Sequence, residues 1–354
     1  MAKVLMKGNE AIGAAAINAG CRFFFGYPIT PQNELPEYMS RELPKVGGTY
    51  LQAESEIAAI NMVYGAAGAG ARVMTSSSSP GISLKQEGIS YIAGAELPCV
   101  IVNVVRGGPG LGGIQPAQSD YYQATKGGGH GDYHLLVLAP SSLQETVKLV
   151  EEAFDLADKY RNPVMVLADG MIGQIMEPVE IKPYTPYQNL PPKDWASTGT
   201  IDSGGRRRII NSLFLDPSEL EQHVLHIYQK YAEMEKNEVR YEAYNCENAD
   251  IIMVAYGTTA RIVRTAIEQC ARFGIHAGLI RPISLYPFPY HAFDGIVDRV
   301  KAFLSVEMSM GQMVDDVKLA VAGKKPVLFY GRTGGMIPMP EDIVKTVQAI
   351  LQEG

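Results

Sequence analysis

The stretches 22-RFFFGYPITPQNELPEY-38 and 51-LQAESEIAAINMVYGAAGAG-70 decide the fold. In the first, an apolar run of strand composition stops at Gly26 and turns through Tyr27-Pro28-Ile29-Thr30-Pro31. Pro28 and Pro31 stiffen that turn because each ring fixes its own φ. In the second, a short extended run reaches Glu54 and Glu56 and passes into a helix of small and apolar residues, with no charge from 57 to 70. A short apolar strand feeding directly into a helix apolar all round fits a parallel sheet covered on both faces.

Working outward, the same alternation continues. The spacing predicts helix 8–20, closed by Gly20, then strand 22–26, helix 32–43, strand 49–53, helix 55–69 and strand 72–75. The loop 76-SSSSPG-81 leads to helix 82–94 and to the apolar strand 99-CVIVNVV-105. A Gly-rich loop, 107-GGPGLGGIQPAQ-118, precedes a short helix, 127-GGGHG-131, strand 135–138, helix 142–158 with a Ser142/Glu145 capping box, and strand 163–168. Residues 176–208 are Pro-rich and lose hydrophobic periodicity, as a linker does. A charged helix over 217–242, capped by Asp216 with Pro217 at its first position, is too polar for a core and is expected to cross a surface or a partner. From 249 a second alternation begins, with strands 250–257, 276–280, 302–306 and 327–330 and helices 259–273, 311–322 and 341–352. The expected fold class is therefore α/β, two doubly wound parallel-sheet domains, 1–175 and 249–354, joined by 176–248.

Composition narrows the function. The chain has 354 residues, 46% hydrophobic and 19% charged, which suits two packed cores rather than disorder. A net charge of -7 without a long basic run argues against nucleic acid and against an anionic membrane surface. The first residues do not read as a signal peptide and no segment is long enough to span a bilayer. Cys21, Cys99, Cys246 and Cys270 stand far apart, so no usual zinc or iron–sulfur pattern exists, and spread thiols fit a reducing cytoplasm.

Ligands of open parallel sheets bind at the carboxyl ends of the strands. Four predicted segments fall there: Gly26–Thr30, the acids Glu54 and Glu56, Ser76–Gly81, and Arg106 at the end of the most apolar strand. Thr30 before Pro31 is ordinary turn chemistry, or a hydroxyl at the rim. Glu56 is an acid favoured by a helix N-terminus, or, in so apolar a helix, a partly desolvated carboxyl whose pKa rises into the range useful for proton exchange. Arg106 is a surface residue or a carboxylate clamp. Gly108, Gly110 and Gly113 form a formal G-x-G-x-x-G, but no helix opens on it and no acid follows at the dinucleotide distance. The loop reads better as an active-site or subunit contact. His130 and His134 are i,i+4 in a loop and form no convincing metal pair.

With these residues in hand, the sequence resembles the α subunit of 2-oxoacid:ferredoxin oxidoreductases, in particular the branched-chain (3-methyl-2-oxobutanoate, or 2-oxoisovalerate) type. The carrying motifs are 26-GYPITPQNEL-35, 52-QAESEIAAINMVYGAAGAGARVMTSSSSPGISLKQEG-88, 105-VRGGPGLGG-113, 277-AGLIRPISLYPFP-289 and 306-VEMSMGQM-313. The resemblance implies a thiamine-diphosphate pyrimidine-type domain followed by one like the C-terminal domain of transketolases. It implies that Glu56 hydrogen-bonds N1′ of the cofactor's aminopyrimidine and exchanges a proton with it. It further implies that Thr30 and Arg106 contact the 2-oxoacid and that Pro28 lies beside the thiazolium ring. The reaction implied is oxidative decarboxylation of a 2-oxoacid with coenzyme A, electrons passing to ferredoxin.

Thiamine enzymes hold diphosphate and Mg²⁺ through a GDG motif followed by Asn. This sequence has none; Asp132 in 131-GDY-133 and Asp169 in 168-ADG-170 are the nearest approaches. The resemblance accounts for this by placing the diphosphate site, Mg²⁺ and iron–sulfur clusters on β and γ partner subunits, with or without a δ. The rival readings are a complete thiamine enzyme on one chain, which the missing GDG opposes, the same enzyme class acting on pyruvate or 2-oxoglutarate, and a non-catalytic nucleotide-binding α/β protein.

Overall fold

In the computed structural model, which describes residues 3–200, 205 and 207–353, strands and helices alternate along the chain. The first part comprises β1 (Val4–Lys7), α1 (Gly8–Asn18), β2 (Phe23–Gly26), α2 (Glu34–Glu42), β3 (Thr49–Gln52), α3 (Glu56–Gly68), β4 (Val73–Ser77) and α4 (Ser79–Gly94). It continues with β5 (Cys99–Val105), α5 (Tyr121–Thr125), β6 (Leu136–Leu138), α6 (Leu143–Tyr160), β7 (Pro163–Asp169), α7 (Gly170–Gln174) and β8 (Met176–Val179). Then follow α8 (Pro217–Asn237), β9 (Tyr241–Tyr244), β10 (Ile251–Val254), α9 (Gly257–Ala271), β11 (Ala277–Pro282) and β12 (Ser284–Tyr286). The last elements are β13 (Ala302–Glu307), α10 (Met313–Val321), β14 (Val327–Gly331) and α11 (Pro340–Glu353).

Two sheets carry the α/β fold. The seven-stranded sheet has the order β12-β6-β7-β5-β4-β2-β3, parallel from β6 to β3. The five-stranded sheet has the order β14-β13-β10-β11-β9, parallel except at β9. Every residue of β4, β5 and β7 is buried. That is why these strands are continuous apolar runs and not alternating ones.

Several elements depart from the expected bounds. β1 and β8 pair with each other antiparallel, and β8 takes the start of the expected linker. Residues 201–204 and 206 of that linker lie outside the described residues. β12 lies beyond β11 in sequence yet pairs antiparallel with β6 of the first sheet. α4 starts at Ser79, earlier than expected, with Pro80 in its first turn, where a missing N–H costs nothing. α8 ends at Asn237 because the chain must free residues 241–244 to pair with β11. Its Asp216 cap accepts from the amides of Ser218 and Glu219, as the sequence suggested. Ile227, Tyr231 and Met234 form its buried stripe, and Lys230 pairs with Glu96 at 3.2 Å, so it lies against the connection between α4 and β5.

Ion pairs tie the two sheets together. Ser142 caps α6 by accepting from the Glu145 amide at 3.2 Å. Glu145 itself turns to the Ser141 amide at 2.7 Å and accepts both arms of Arg281 at 2.9 Å. Arg281 completes its fork on Glu242 at 2.9 Å. Asp316, almost fully buried, accepts from Tyr121, Tyr290 and Lys126. Bidentate, buried Arg–carboxylate pairs fix geometry more than they stabilise.

Candidate active site

The order β5-β4-β2-β3 puts four carboxyl ends side by side, and every predicted site segment sits on that edge. The turn after β2 is held from all sides. Asn9 and Gln174 donate to the Pro31 carbonyl at 2.9 Å, and Ser76 donates to Gln32 at 2.5 Å. The Arg106 guanidinium donates to the Thr30 carbonyl at 2.9 Å and to the Leu111 carbonyl at 3.0 Å, while its Nε–H is buried without an acceptor. The structure thus brings Thr30 and Arg106 together, through the Thr30 backbone; the Thr30 hydroxyl accepts weakly from Asn33 at 3.4 Å. Pro28 is exposed on the outside of the same turn. An open cleft of about 500 Å³ beside the turn is lined by Thr30, Asn33, Gln115, Met171 and Ile337; Glu56 is not among its walls.

Glu56 is the first residue of α3, set there by Ser55, whose hydroxyl accepts from the Ala58 amide at 3.1 Å. It is 6% exposed, whereas Glu54 is exposed to solvent. Among the described residues, no hydrogen bond or ion pair engages its carboxylate. Gly81 of α4 faces it so closely that a Cβ there would come within 2.6 Å of Glu56 Oε1 and 2.1 Å of Ser77 Oγ. Only a glycine leaves that carboxylate room. The Ser77 and Ser78 hydroxyls beside it are buried without partners. Buried polar atoms are normally paired, so a cluster of free ones at a strand-end edge marks a place built to receive polar groups. A buried carboxyl with an unengaged oxygen beside free hydroxyls fits the ring nitrogen of an aminopyrimidine.

The remaining candidates are structural. Asp169 accepts from the amides of Met171 and Ile172, and burial pushes its carboxyl up. His130 meets Ser90, and His134 stacks on Tyr286 with centroids 4.3 Å apart, so the two do not converge. Among the described residues no group of His, Cys, Asp and Glu could hold a metal ion. The Gly-rich loop closes on itself through Gly107 to Gln115 and Gly113 to Gly107, with no helix for a dinucleotide phosphate.

Sequence reasoning missed two polar residues here. Asn103 of β5 accepts from the Ser79 amide and donates to Asp120, whose carboxyl is pushed up by burial. Lys85 of α4 is completely buried. The signal was available: Gly81, Lys85 and Gly88 recur at i, i+4, i+7, a single helix face with a lysine between two glycines.

Comparison with known proteins decides the family. Residues 14–251 match the family described as Pyruvate flavodoxin/ferredoxin oxidoreductase, thiamine diP-bdg, and residues 249–343 match Pyruvate:ferredoxin oxidoreductase core domain II. The chain belongs to the 2-oxoacid:ferredoxin oxidoreductase family. It is 51% identical to the ketoisovalerate oxidoreductase subunit VorB of Methanothermobacter thermautotrophicus, over 99% of this chain and 98% of that one. It is 36% identical to the 2-oxoglutarate synthase subunit KorA of Methanocaldococcus jannaschii, over 97% of this chain and 98% of that one. Among solved structures, the 2-oxoglutarate:ferredoxin oxidoreductase from Magnetococcus marinus, with 2-oxoglutarate, coenzyme A and succinyl-CoA bound, superposes with a TM-score of 0.88 at 29% identity. The match covers 99% of this chain and 65% of that one. A split-gene transketolase shares the fold alone, at a TM-score of 0.63 and 14% identity.

Proposed function

We propose that this chain is the α-type subunit of a ferredoxin-dependent oxidoreductase that converts a branched-chain 2-oxoacid and coenzyme A to acyl-CoA and CO2, passing the electrons to ferredoxin. The observation that carries the substrate class is the 51% identity to a ketoisovalerate relative, against 35–37% for the 2-oxoglutarate relatives. Differences of a methyl or two are worth about 1–3 kcal/mol in an apolar pocket, so the substrate is a question for measurement. Acting on 2-oxoglutarate is the second reading, favoured by the solved relative that carries that acid.

In this reading the chain supplies half of a thiamine diphosphate site. Glu56 holds or yields a proton at its carboxylate toward the aminopyrimidine, and Gly81 keeps the approach clear. Pro28 stands at the rim of the thiazolium side. Thr30 and the unengaged guanidinium N–H groups of Arg106 orient the oxoacid carbonyl and carboxylate. The cofactor, when bound, supplies the electron sink for decarboxylation. The lack of a GDG motif supports a partner that carries the diphosphate, Mg²⁺ and iron–sulfur clusters, namely β and γ subunits with or without a δ. Exposed apolar side chains on the same edge (Tyr27, Leu51, Ile57, Leu84, Leu111 and Ile114) support burial of that edge in a complex. Among the described residues no helix is long and apolar enough to cross a membrane, which agrees with assembly in the cytoplasm. The division into 1–175, 176–248 and 249–354 belongs to the same proposal.

The test is anaerobic purification of the tagged chain from its native host. A brown partner should come with it, and the complex should reduce a viologen dye given thiamine diphosphate, coenzyme A and a 2-oxoacid. A panel of oxoacids should rank the branched-chain acid first. A chain that purifies alone and turns over oxoacids unaided would sink the half-site; a preference for 2-oxoglutarate would sink only the substrate.

A further inference from the structure

The face of α4 that meets α3 reads Gly81, Lys85, Gly88, and the face of α3 reads Glu56, Ile60. Gly81 abuts Glu56, and Gly88 abuts Ile60, whose Cγ2 lies 2.5 Å from where a Cβ would be. Lys85, one turn beyond Gly81, therefore enters between the two contacts and passes behind Glu56 toward the sheet. Its ammonium ends under the edge of β4, donating to Thr75 Oγ1 at 2.7 Å and to the Ser76 carbonyl at 3.0 Å. The Thr75 hydroxyl donates its hydrogen bond to the Phe25 carbonyl at 2.6 Å, so its oxygen is fixed as an acceptor toward Lys85. Both partners are neutral. A lysine with no exposure and no carboxylate in contact is costly to the fold, and a structural role alone would be filled more cheaply by methionine or leucine.

The charges around it are few. Glu56 on α3 is the one whose field reaches it. Arg106 at the end of β5 is turned to the Thr30 and Leu111 carbonyls, Asp120 is tied to Asn103, and Glu54 and Glu87 are exposed. β2 and β4 offer Lys85 only neutral groups.

We propose that Lys85 is a positioning residue for the proton at Glu56: a concealed cation behind the carboxylate that sets how readily Glu56 gives up or takes its proton. This rests on the reading of Glu56 as the acid that serves the cofactor. Burial pushes the Lys85 ammonium down to about 7, against the pull of Glu56, so its own charge changes within the working range.

Lys85→Met keeps the shape and removes the charge. Two readouts follow. A lysine lowered to about 7 in the fold and ordinary when unfolded takes up a proton on unfolding between about pH 7 and pH 10, so wild-type stability rises with pH across that window. The methionine variant lacks this rise. In the full chain it should be the more heat-stable at pH 7, with its advantage shrinking toward pH 10. In the reconstituted complex, loss of the cation removes an attraction on the carboxylate, so the acid limb of the kcat/KM profile should move to higher pH, with a measurable loss of rate on that limb. Thr75→Val, which leaves the lysine but removes an acceptor, should move the limb the same way by less, and it decides the matter should the methionine variant fail to fold. A thermal advantage that narrows with pH beside an unmoved kinetic profile would make Lys85 merely structural and overturn the proposal, as would a thermal difference independent of pH. Glu56→Gln with full activity would instead remove the reading beneath it.

Discussion

Two buried glutamates stand at carboxyl ends of the two sheets, and they are treated oppositely. Glu307 ends β13 with no exposure, and both of its oxygens are fully used. Oε1 accepts from Ser305 at 3.0 Å and the Val314 amide at 2.9 Å. Oε2 accepts from Ser309 at 2.8 Å and from the amides of Gln312 and Met313 at 2.9 and 3.1 Å. This carboxylate ties the strand to the N-terminus of α10, where the helix dipole also favours it. Glu56 starts a helix too, but there Ser55 serves the Ala58 amide, and among the described residues no hydrogen bond or ion pair engages the Glu56 carboxylate. Burial alone does not tell a functional acid from a structural one. Free hydrogen-bonding capacity does, because a carboxylate that no protein donor engages is left open to a group that completes it.

The comparison can be broken by exchanging the consequences. Glu56→Gln should lower turnover of the reconstituted complex by about 10²–10⁴-fold, the range for loss of a proton-transferring group. A variant within a factor of a few of wild type would end the assignment. Glu307→Ala should act on stability instead. With five donors orphaned, an unfolding curve should show a loss of about 3–5 kcal/mol. A loss below about 1 kcal/mol would mean that the cap at α10 is replaceable. Gly81→Ala sharpens the contrast by a smaller step. The new methyl meets Ser77 Oγ and Glu56 Oε1, so it should cost about 1–3 kcal/mol of strain and displace the carboxylate. Activity should fall further than stability does, and an active, unstrained alanine variant would show that the pocket yields.

Much of this was legible in the sequence. Parallel strands buried on both faces announce themselves as apolar runs, so the α/β alternation around β2, β4, β5 and β7 followed directly. So did the strand-end position of Thr30, Glu56 and Arg106, since a strand's direction fixes where its loop emerges. What escaped was long-range or local detail. β12 is three residues between prolines, and its pairing with β6 is set by tertiary packing. β1 and β9 are short edge strands without a distinguishing pattern. Arg106 meets Thr30 through a backbone carbonyl, which no side-chain pattern encodes. Lys85 was hidden by its type, since lysine in a helix ordinarily means solvent; only the flanking glycines signalled a buried face.

The central claim is that, among the described residues, no hydrogen bond or ion pair engages the Glu56 carboxylate. The direct test is the denaturation midpoint of Glu56→Gln in the cofactor-free chain beside wild type at pH 7. Glu56→Gln should lose far less than Glu307→Ala, because no hydrogen bond goes and only the attraction between Glu56 and Lys85 is removed. A drop comparable to that of Glu307→Ala would contradict it and return Glu56 to the ranks of structural caps.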